Sequence, residues 1–451
     1  MPRTRGGKDF DMSKIIYASK YGFSPENNGA ANAAALQKML DIGGDVVVDG
    51  KGVYDVEGTV FIHGDTTLSF CAGSYVRRVS CGDVNGPFLI NSGAFVREYD
   101  SNIKIYGLNL IANGVECSRE FPILGVLSQV CFYYTKHTVI RDFTCMDLGT
   151  KSFCIQICTF EDSLVENVHI EGMKDAVHYG PGRRFILRNG VFRTFDDPIA
   201  LNANDYAVSN PQMGWIEDGL IEFCYDLNQP TTTGFFCRLL GGAWQDWKEG
   251  MIIRNSDTVV NGGRMYRAAM PADGAEYISL TPPTHEDGAA VIDGIKWVMT
   301  QNDNIVYNCG CRKIHFKDIF LQKVRPTAFA FHFDNDVYSH SFYPNSKTPV
   351  QTDITFENIY MEAQVDFVVR ATTPVGSIKV INSCLENTRM RFAHRGVEGI
   401  EYGTTDVILS GNTIRGSLNI SSADGIKTEI TAAGNIIRNG EITVSGDAVI
   451  V

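Results

Sequence analysis

The chain reads SLVEN at 163–167 and FILRN at 185–189, and these short alternating segments, each ending in asparagine, decide the fold. A related segment, TVIRD at 138–142, precedes them. Others are IKIYG at 103–107, MIIRN at 251–255, IHFKD at 314–318, ITFEN at 354–358, IKVIN at 378–382 and VILSG at 407–411, with a weaker copy, LIEF, at 220–223. Where neighbouring segments follow directly, the interval is roughly 22–25 residues, and strands that recur at such a period with no helix between them are typical of a solenoid.

The residues within each segment predict how such a solenoid is built. Alternation places every second side chain inside, so that Val, Ile, Leu, Phe and Cys form the core. An Asn, Asp or Gly at the end suits a corner, because these residues adopt the left-handed conformation or cap a turn. Coils stacked about 4.8 Å apart make an all-β parallel β-helix. A large β-sandwich or propeller is the alternative, which the scarcity of hairpin dipeptides disfavours.

The pattern divides the chain into three regions. Residues 1–60 are an N-terminal cap with one helix, NGAANAAALQKMLDI at 28–42, and the first strands. A helix over the open end of a solenoid protects its first edge from pairing. Residues 61–451 are the β-helix itself. Within it, residues 257–302 break the rhythm with Gly and Pro clusters and aromatic residues, which predicts a compact β-rich insertion.

Composition excludes several classes of protein. The 451 residues are 44% hydrophobic and 20% charged, a globular balance that excludes a mainly disordered chain. The 40 Lys and Arg against 52 Asp and Glu give a net charge of −12, which disfavours a nucleic-acid partner. No apolar run approaches the ~18 residues of a membrane span, so no membrane partner is expected.

The cysteines and the first residues bear on the compartment. Twelve cysteines are dispersed through apolar, strand-like runs, so we expect reduced core thiols and a cytoplasmic location. The start, MPRTRGGKDFDMSK, carries basic residues with no apolar run behind them, so no secretory signal is expected. Cys309-Gly310-Cys311 lacks the second half of a zinc site, and no nucleotide-binding fingerprint occurs. The sequence therefore predicts neither a metal nor a cofactor.

The densest polar stretch is MKDAVHYGPGRRFILRNGVFRTFDDPIALNANDY, at residues 173–206. Asp175 precedes the Asp196-Asp197 pair by one turn of the repeat, so the three carboxylates are expected on one face. Like charges at short range raise at least one pKa, as a general acid requires, while the others stay ionised and activate water. A calcium site and a simple Asp-Asp-Pro turn are the alternatives for these residues.

Polar and aromatic residues around the three carboxylates are candidates for substrate binding. Amides suit sugar hydroxyls, an arginine suits an anion or a carboxylate that it orients, and indole rings suit the C–H faces of sugars. Each has a structural alternative: amides cap turns, a histidine can be a satisfied surface residue, and tryptophans pack in cores. The candidates are Gln156, His178, Asn202, Asn204, Arg238, Trp244 and Trp247.

With these residues the sequence resembles the pectin-lyase-like β-helix superfamily, and most closely its polygalacturonase-type glycoside hydrolases. The opening YGFSPENNGAANAAALQKMLDIGGDVVVDGKGVY at 21–54 is similar to a start shared by these hydrolases and phage tailspikes. The family's Asp-Asp before an apolar run matches DDPIAL at 196–201, and Lys174-Asp175-Ala176 stands where the family has Asn-Thr-Asp-Gly. The resemblance implies a right-handed parallel β-helix.

The resemblance also implies roles for the carboxylates. Asp196 would be the general acid, and Asp175 with Asp197 the water-activating base, in an inverting hydrolysis of an oligo- or polysaccharide. The family's Gly-His-Gly is missing, and GFFCRLLGG at 234–242 offers Arg238 near its place. The insertion resembles a small β module of phage structural proteins, which fits a tailspike-like origin or a lid over a substrate cleft.

Three functions remain compatible with the sequence. The first is a cofactor-independent glycoside hydrolase. The second is a polysaccharide lyase, in which the carboxylates hold Ca²⁺ and Arg238 is the base. The third is a non-catalytic, tailspike-like glycan-binding protein, which a homotrimer would favour. For the enzymes the oligomeric state, trimer or dimer, stays open.

Overall fold

The strands of the chain pair in parallel with the strands one repeat later. In the computed structural model, which describes residues 15–333, 346–394 and 402–451, Leu164 pairs with Val139 before it and with Ile186 after it. The corner residues of these coils repeat at the same spacings, 25 residues from Asp142 to Asn167 and 22 residues from Asn167 to Asn189. The pairing continues through a 30-stranded sheet. The right-handed parallel β-helix expected from the repeat and from the resemblance is therefore confirmed.

Over residues 15–333, 346–394 and 402–451 there is a single α-helix, α1 (Gly29–Ile42), which packs against the first coils. The Asn28 side chain caps it by accepting from the Ala31 amide, and Gly43 ends it in the left-handed region at φ 72°. The Gln37 side chain accepts from the Phe61 amide (2.7 Å) and donates to the Phe61 carbonyl (3.1 Å). The helix therefore satisfies backbone groups on the solenoid's first edge. Residues 1–14 of the expected cap lie outside the described residues.

The strands before the insertion build the first half of the coil. Two short 3₁₀ helices, Ala18–Lys20 and Ser92–Phe95, lie among them. The strands are β1 Ile15–Tyr17, β2 Gly44–Val48, β3 Gly52–Glu57, β4 Val60–Ile62, β5 Thr66–Phe70, β6 Ser74–Val79, β7 Leu89–Asn91, β8 Asp100–Ser101, β9 Lys104–Tyr106, β10 Asn109–Ile111, β11 Ser128–Leu148, β12 Phe153–Gly172, β13 Val177–Tyr179, β14 Gly182–Thr194, β15 Ile199–Asn202, β16 Ile216–Asp226 and β17 Cys237–Ala243.

The corners of the coil carry the polar residues that end the repeated segments. Asp142, Asn167 and Asn189 have φ values of 57°, 53° and 55°, in the left-handed region. Their side chains stack, because the Asn189 amide donates to Asn167 and the Asn167 amide donates to Asp142, each at 3.0 Å. The same conformation recurs at Gly107, Phe223, Asp318, Asn358, Asn382 and Gly411. The left-handed corner predicted from the repeat is confirmed at these positions.

The insertion forms two small sheets outside the coil, and its strands begin at Gln245 rather than at Asp257. The strands are β18 Gln245–Asp246, β19 Met251–Ile253, β20 Thr258–Asn261, β21 Arg264–Ala268, β22 Tyr277–Ser279, β23 Ala289–Ile292 and β24 Ile295–Gln301. Strand β19 pairs antiparallel with β22, so the expectation that MIIRN is a turn of the solenoid is wrong. The left-handed residue there is Ser256 rather than Asn255, and alternation alone did not distinguish this strand from a coil strand.

The second half of the coil resumes after the insertion, because β16 pairs directly with β26 on the far side of it. Its strands are β25 Asn308–Cys309, β26 Cys311–Leu321, β27 Arg325–Phe333, β28 Thr352–Met361, β29 Val365–Ala371, β30 Ser377–Ile381, β31 Cys384–Phe392, β32 Thr405–Ser410, β33 Thr413–Ser422, β34 Thr428–Ala433, β35 Ile436–Arg438, β36 Ile442–Gly446 and β37 Ala448–Ile450. All twelve cysteines lie within the described ranges, each of them free and nine of them buried. Among the described residues, none of the helices combines the length and hydrophobicity of a membrane span.

Candidate active site

The three carboxylates lie where the chain enters β13 and β15. Val177 pairs with Ile199, so the register sets Asp175 beside Asp197 and Lys174 beside Asp196. The Ala176 amide donates to the Asp197 carbonyl at 3.1 Å, which extends the pairing to the carboxylates themselves. One oxygen from each of Asp175, Asp196 and Asp197 lies within 4.8 Å of the others. The structure thus brings these three residues, hereafter the carboxylate cluster, into one group.

Aromatic rings lie on both sides of the stacked pair. The parallel register places Phe153 one coil before Asp175 and Phe235 one coil after Asp197. Phe153 is buried and Phe235 is half-buried, and both line the cleft. Apolar neighbours remove water from the carboxylates, which disfavours their charged forms. Neither ring was expected in the site from the sequence, although the spacing that joined Asp175 to Asp197 also places Phe153 one turn before Asp175.

The carboxylate cluster forms part of the wall of a cleft of about 580 Å³. Asp175 and Asp197 are almost fully buried, whereas 25% of the Asp196 side chain is exposed. The insertion supplies Asn255 and the segment 270–272 to the same cleft. Asp196 is therefore the carboxylate most open to a ligand in the cleft.

The insertion is fixed to the coil by a buried arginine. Arg267 is fully buried and donates to the backbone carbonyls of Asp205 and, at 3.5 Å, Asn210. Both carbonyls belong to the loop between β15 and β16, and Asp205 also lines the cleft. The insertion and this loop therefore form one wall, as a lid-like position of the insertion would require.

Lys174 is a third residue to which the sequence assigned no role in the site. Its ammonium contacts Asp196 and lies 3.5 Å from Oδ1 of Asp175. Burial acts to lower the pKa of Lys174, but the charges of Asp175 and Asp196 outweigh it and raise that pKa. Lys174 and Asp196 lie one turn apart along the chain, so the repeat period carried this signal as well. A cation therefore lies inside the carboxylate cluster.

The three carboxylates do not share one protonation state. Burial and the charges of its two neighbours raise the pKa of Asp197 to about 8, against the opposing Arg238. Burial and the charge of Asp175 also raise the pKa of Asp196, against Lys174. Burial alone would raise the pKa of Asp175, but Lys174, His178 and Arg238 outweigh it and hold the pKa well below its usual value. Near neutral pH the cluster therefore combines an ionised Asp175 with a proton held by the Asp196–Asp197 pair.

Arg238 reaches the carboxylates from the next coil, across a small residue. Ala200 pairs with His178 on one side and with Arg238 on the other, and Oδ2 of Asp205 lies within 3.8 Å of both side chains. Arg238 lies 3.6 Å from Asp197 through Nε and 3.3 Å from Asp205 through Nη2. The structure thus places Arg238 in the cleft wall beside the Asp197 carboxylate, a position from which it can orient that carboxylate.

His178 lies behind the carboxylates rather than in the cleft. It is fully buried, stacks on Phe153 with ring centroids 4.0 Å apart, and places Nδ1 3.3 Å from Oδ2 of Asp175. The expectation that His178 binds substrate is therefore wrong, because no part of its ring is accessible. Its contact instead supports the ionised form of Asp175.

The amides expected to bind substrate are structural. Gln156 is fully buried, accepts from the Leu127 amide (3.0 Å) and donates to the carbonyls of Gly125 (2.9 Å) and Ser209 (3.0 Å). Asn202 is fully buried, donates to Asp205 at 2.6 Å and accepts from Asn210 through its carbonyl at 2.8 Å. Asn204 is 5% exposed and lies outside the cleft lining. All three assignments to substrate are wrong for the same reason: these side chains face the protein.

Neither tryptophan offers a face to the cleft. Trp244 is 2% exposed and its indole donates to the Val306 carbonyl at 2.7 Å. Trp247 packs against the core of the insertion and donates to Ser279 at 2.9 Å. The expectation that Trp244 stacks on a sugar ring is wrong, because its ring is buried. Trp247 is half-buried and lies outside the lining of this cleft, so its role as a stacking residue stays a prediction. Among residues that sequence reasoning missed, Tyr206 joins Phe153 and Phe235 as an aromatic group of the cleft.

The carboxylate cluster does not fit a calcium ion. Ca²⁺ takes six to eight oxygen ligands, and here the space beside two of the three carboxylates is taken by the Lys174 ammonium. A second cation, Arg238, faces Asp197. Two protein cations therefore already provide the positive charge that a calcium ion would supply.

Comparisons with known proteins identify the fold. The sequence matches no protein-family model and no curated protein. The structure is similar to the surface protein and adhesin PfbA of Streptococcus pneumoniae, with 12% identity and a TM-score of 0.54 over 97% of this chain and 100% of that chain. A family 28 exopolygalacturonase of Yersinia enterocolitica gives 10% identity and a TM-score of 0.49, over 97% and 79% of the two chains.

A tailspike protein of E. coli bacteriophage HK620 gives 9% identity and a TM-score of 0.43, over 97% of this chain and 80% of that chain. These structural neighbours are pectin-lyase-like parallel β-helix proteins, as the resemblance predicted. At these identities the likeness establishes the fold alone.

Proposed function

We propose that the protein hydrolyses glycosidic bonds in an oligo- or polysaccharide by general acid and base catalysis with carboxylates. The observation that carries this proposal is the carboxylate cluster in the cleft wall, where burial and like charge separate the pKa values of its members. Two carboxylates in opposite protonation states are what glycoside hydrolysis requires. The chain needs no cofactor for this chemistry.

The exposure of each carboxylate supports a division of roles. The Asp196–Asp197 pair holds the proton, and Asp196 is its member with access to the cleft, so Asp196 is the proposed general acid. Asp175 stays ionised and is the proposed base that activates water, together with Asp197 once the pair has lost its proton. Arg238 and the Phe235 amide, 2.6 Å from Oδ1 of Asp197, stabilise that anion.

The stereochemical course calls for direct measurement. The resemblance implies inversion, for which carboxyl groups about 6.5–9.5 Å apart are typical. The nearest oxygens of the carboxylate cluster lie within 4.8 Å of one another, closer to the ~5–5.5 Å of retaining enzymes. The anomer released first, observed by ¹H NMR, separates the two courses.

The test is a panel of plant, algal and bacterial glycans incubated with wild type and with Asp196→Asn. We expect new reducing ends with at least one glycan, and a loss of about 10²–10⁴-fold in rate for Asp196→Asn. An unsaturated, ultraviolet-absorbing product whose formation stops with a chelator would instead identify a lyase. Binding without any product, unchanged in Asp196→Asn, would identify a glycan-binding protein.

A further inference from the structure

A pair of buried cations lies behind the loop that carries Asp196 and Asp197. Lys323 lies in the turn between β26 and β27, Arg325 begins β27, and both are at most 1% exposed. Arg325 holds Asp226 through two bonds, from Nε at 2.5 Å and from Nη2 at 2.9 Å. The Lys323 ammonium donates one hydrogen bond to a described residue, and its acceptor is the carbonyl of Thr194.

Both cations act on the two residues that precede Asp196. Lys323 binds the Thr194 carbonyl directly. Arg325 donates at 3.2 Å to Oγ1 of Thr232, which in turn donates at 2.8 Å to the Phe195 carbonyl. The Thr194 hydroxyl also donates to the Asp196 carbonyl at 2.9 Å. Hydrogen bonds thus fix the carbonyls of Thr194 and Phe195, the two residues immediately before Asp196.

The charge of Lys323 has no local structural explanation. Its carbonyl partner is neutral, and the nearby Asp226 is already used twice by Arg325. A buried ammonium without an ion pair is costly, so a protein that needed only packing would place an apolar side chain here. Burial and the charge of Arg325 lower the pKa of Lys323 to about 8, while Asp226, Asp196 and Asp197 act to raise it. The hydrogen bond to the Thr194 carbonyl, two residues before Asp196, connects this cation to the carboxylate cluster.

We propose that Lys323 and Arg325 are positioning residues, which hold Thr194 and Phe195 so that Asp196 and Asp197 point into the cleft while their mutual repulsion is offset. This inference rests on the proposed hydrolysis for its catalytic consequence. The placement of the two carboxylates does not depend on it. Neither cation lines the cleft, so they act through the backbone and through the field, not on substrate.

The test compares Lys323→Met and Thr232→Val with wild type. Lys323→Met keeps an unbranched side chain of similar length and removes the charge. Thr232→Val removes the hydroxyl that connects Arg325 to Phe195. We expect kcat to fall about 10- to 100-fold in both, with KM within about twofold, because the acid is displaced while binding groups stay. Thr232→Ser restores the hydroxyl and should restore kcat.

The matched control is Thr405→Val, at a buried threonine whose hydroxyl donates to the Val375 carbonyl at 2.7 Å in a distant coil. This variant should lose stability and keep kcat. The proposal is overturned if Lys323→Met and Thr232→Val keep kcat within about twofold of wild type, or if only one of them loses it. If Lys323→Met does not fold, the Thr232→Val and Thr232→Ser pair decides.

A second readout needs no substrate. In protein labelled with ¹³C at the aspartate carboxyl carbon, resonances are assigned with Asp196→Asn and Asp197→Asn. Lys323→Met should raise the titration midpoints of these two carboxylates by about 0.5–1 pH unit, and Thr405→Val should not. If wild type cleaves no glycan, the proposed function fails, and this titration alone decides the inference. Unchanged midpoints would then overturn it.

Discussion

Two columns of charged residues run along this β-helix, and they follow opposite rules. In one, Arg141, Glu166 and Arg188 stack in register and alternate in sign, with Nε of the two arginines 2.5 and 2.6 Å from Glu166. The column continues with Glu222, Lys317 and Glu357. In the other, Asp175 stacks on Asp197 with like charge. The coil places residues one turn apart side by side in both cases, so the difference is a property of the sequence.

The two columns also differ in how their carboxylates are solvated. Burial acts to raise the pKa of Glu166, but its bonds to Arg188 and Arg141 outweigh it, and the pKa lies below its usual value. Asp197 lies between aromatic residues and like charges, and its pKa is raised. A solenoid that needs only stability alternates its charges, as the first column does. A like-charged stack in a cleft costs stability, which indicates that it is retained for chemistry.

The largest effect on hydrolysis is expected when the like-charged column loses its cation, Lys174. Lys174→Met leaves Asp175 and Asp196 without their ammonium, so the pKa values of both carboxyl groups should rise and the ionised base should be less favoured. We expect hydrolysis at pH 7 to fall about 10²-fold or more. Part of the rate should return at higher pH, where Asp175 is again ionised. Initial rates of reducing-end formation measure both changes.

Arg188→Met is the corresponding change in the alternating column. Glu166 keeps Arg141, and the arginines are more than a third exposed, so the loss in unfolding free energy should stay below about 1 kcal/mol. Its hydrolysis rate should equal that of wild type. Equal losses of activity in Lys174→Met and Arg188→Met would show that the two columns do not differ in function.

A smaller effect is expected from one methyl group beside the like-charged column. A Cβ at Gly234 would lie 2.4 Å from Oδ1 of Asp197 and 2.6 Å from the carbonyl carbon of Asp196. Gly234→Ala should therefore displace both carboxylates and lower kcat about 10- to 100-fold. Gly403→Ala is the matched control, since a Cβ there meets nothing within 4 Å, and its kcat should not change. A normal rate in Gly234→Ala would mean that the carboxylates tolerate displacement.

The coil could be predicted from sequence because its information is local and repeated. Alternation sets the core, and residues such as Asn167 and Asn189 mark corners by their tolerance of positive φ. At MIIRN the same pattern gave a wrong prediction, because the antiparallel strand of the insertion has the same alternation of inward and outward side chains as a strand of the coil. The repeat period also placed Asp175 beside Asp197, which needed no knowledge of side-chain packing.

The substrate-binding residues could not be predicted in the same way. Whether Gln156 or Trp244 faces the cleft depends on the loop between β15 and β16, which bonds to Gln156, and on the segment after the insertion, which bonds to Trp244. Those contacts join residues whose separation no repeat period sets. Lys174 differs from these residues, because its spacing of one turn from Asp196 is enough to predict that the two side chains lie side by side. The period therefore predicts which residues stack, and long-range packing decides which of them remain accessible.

The smallest effect is a pH dependence of stability that has opposite signs in the two columns. Asp197 has a folded pKa of about 8, raised from 3.8, so its stabilising contribution is complete at low pH and is lost as the pH rises toward 8. Asp197→Asn should therefore gain stability over wild type as the pH rises from about 4 to 8. We expect a gain on the order of 1–3 kcal/mol at pH 9, measured by urea unfolding.

Glu166→Gln should show the reverse dependence. The folded pKa of Glu166 lies below 4.5, so its contribution is present at neutral pH and is lost as the pH falls through that folded value. The variant should be less stable than wild type at pH 7, by less than about 1 kcal/mol, and equal to it in acid. Because both variants replace a carboxylate by its amide, the shape change is matched, and the difference lies in the burial and the neighbouring charges of the two carboxylates. Parallel pH curves for the two variants would contradict the distinction between the columns.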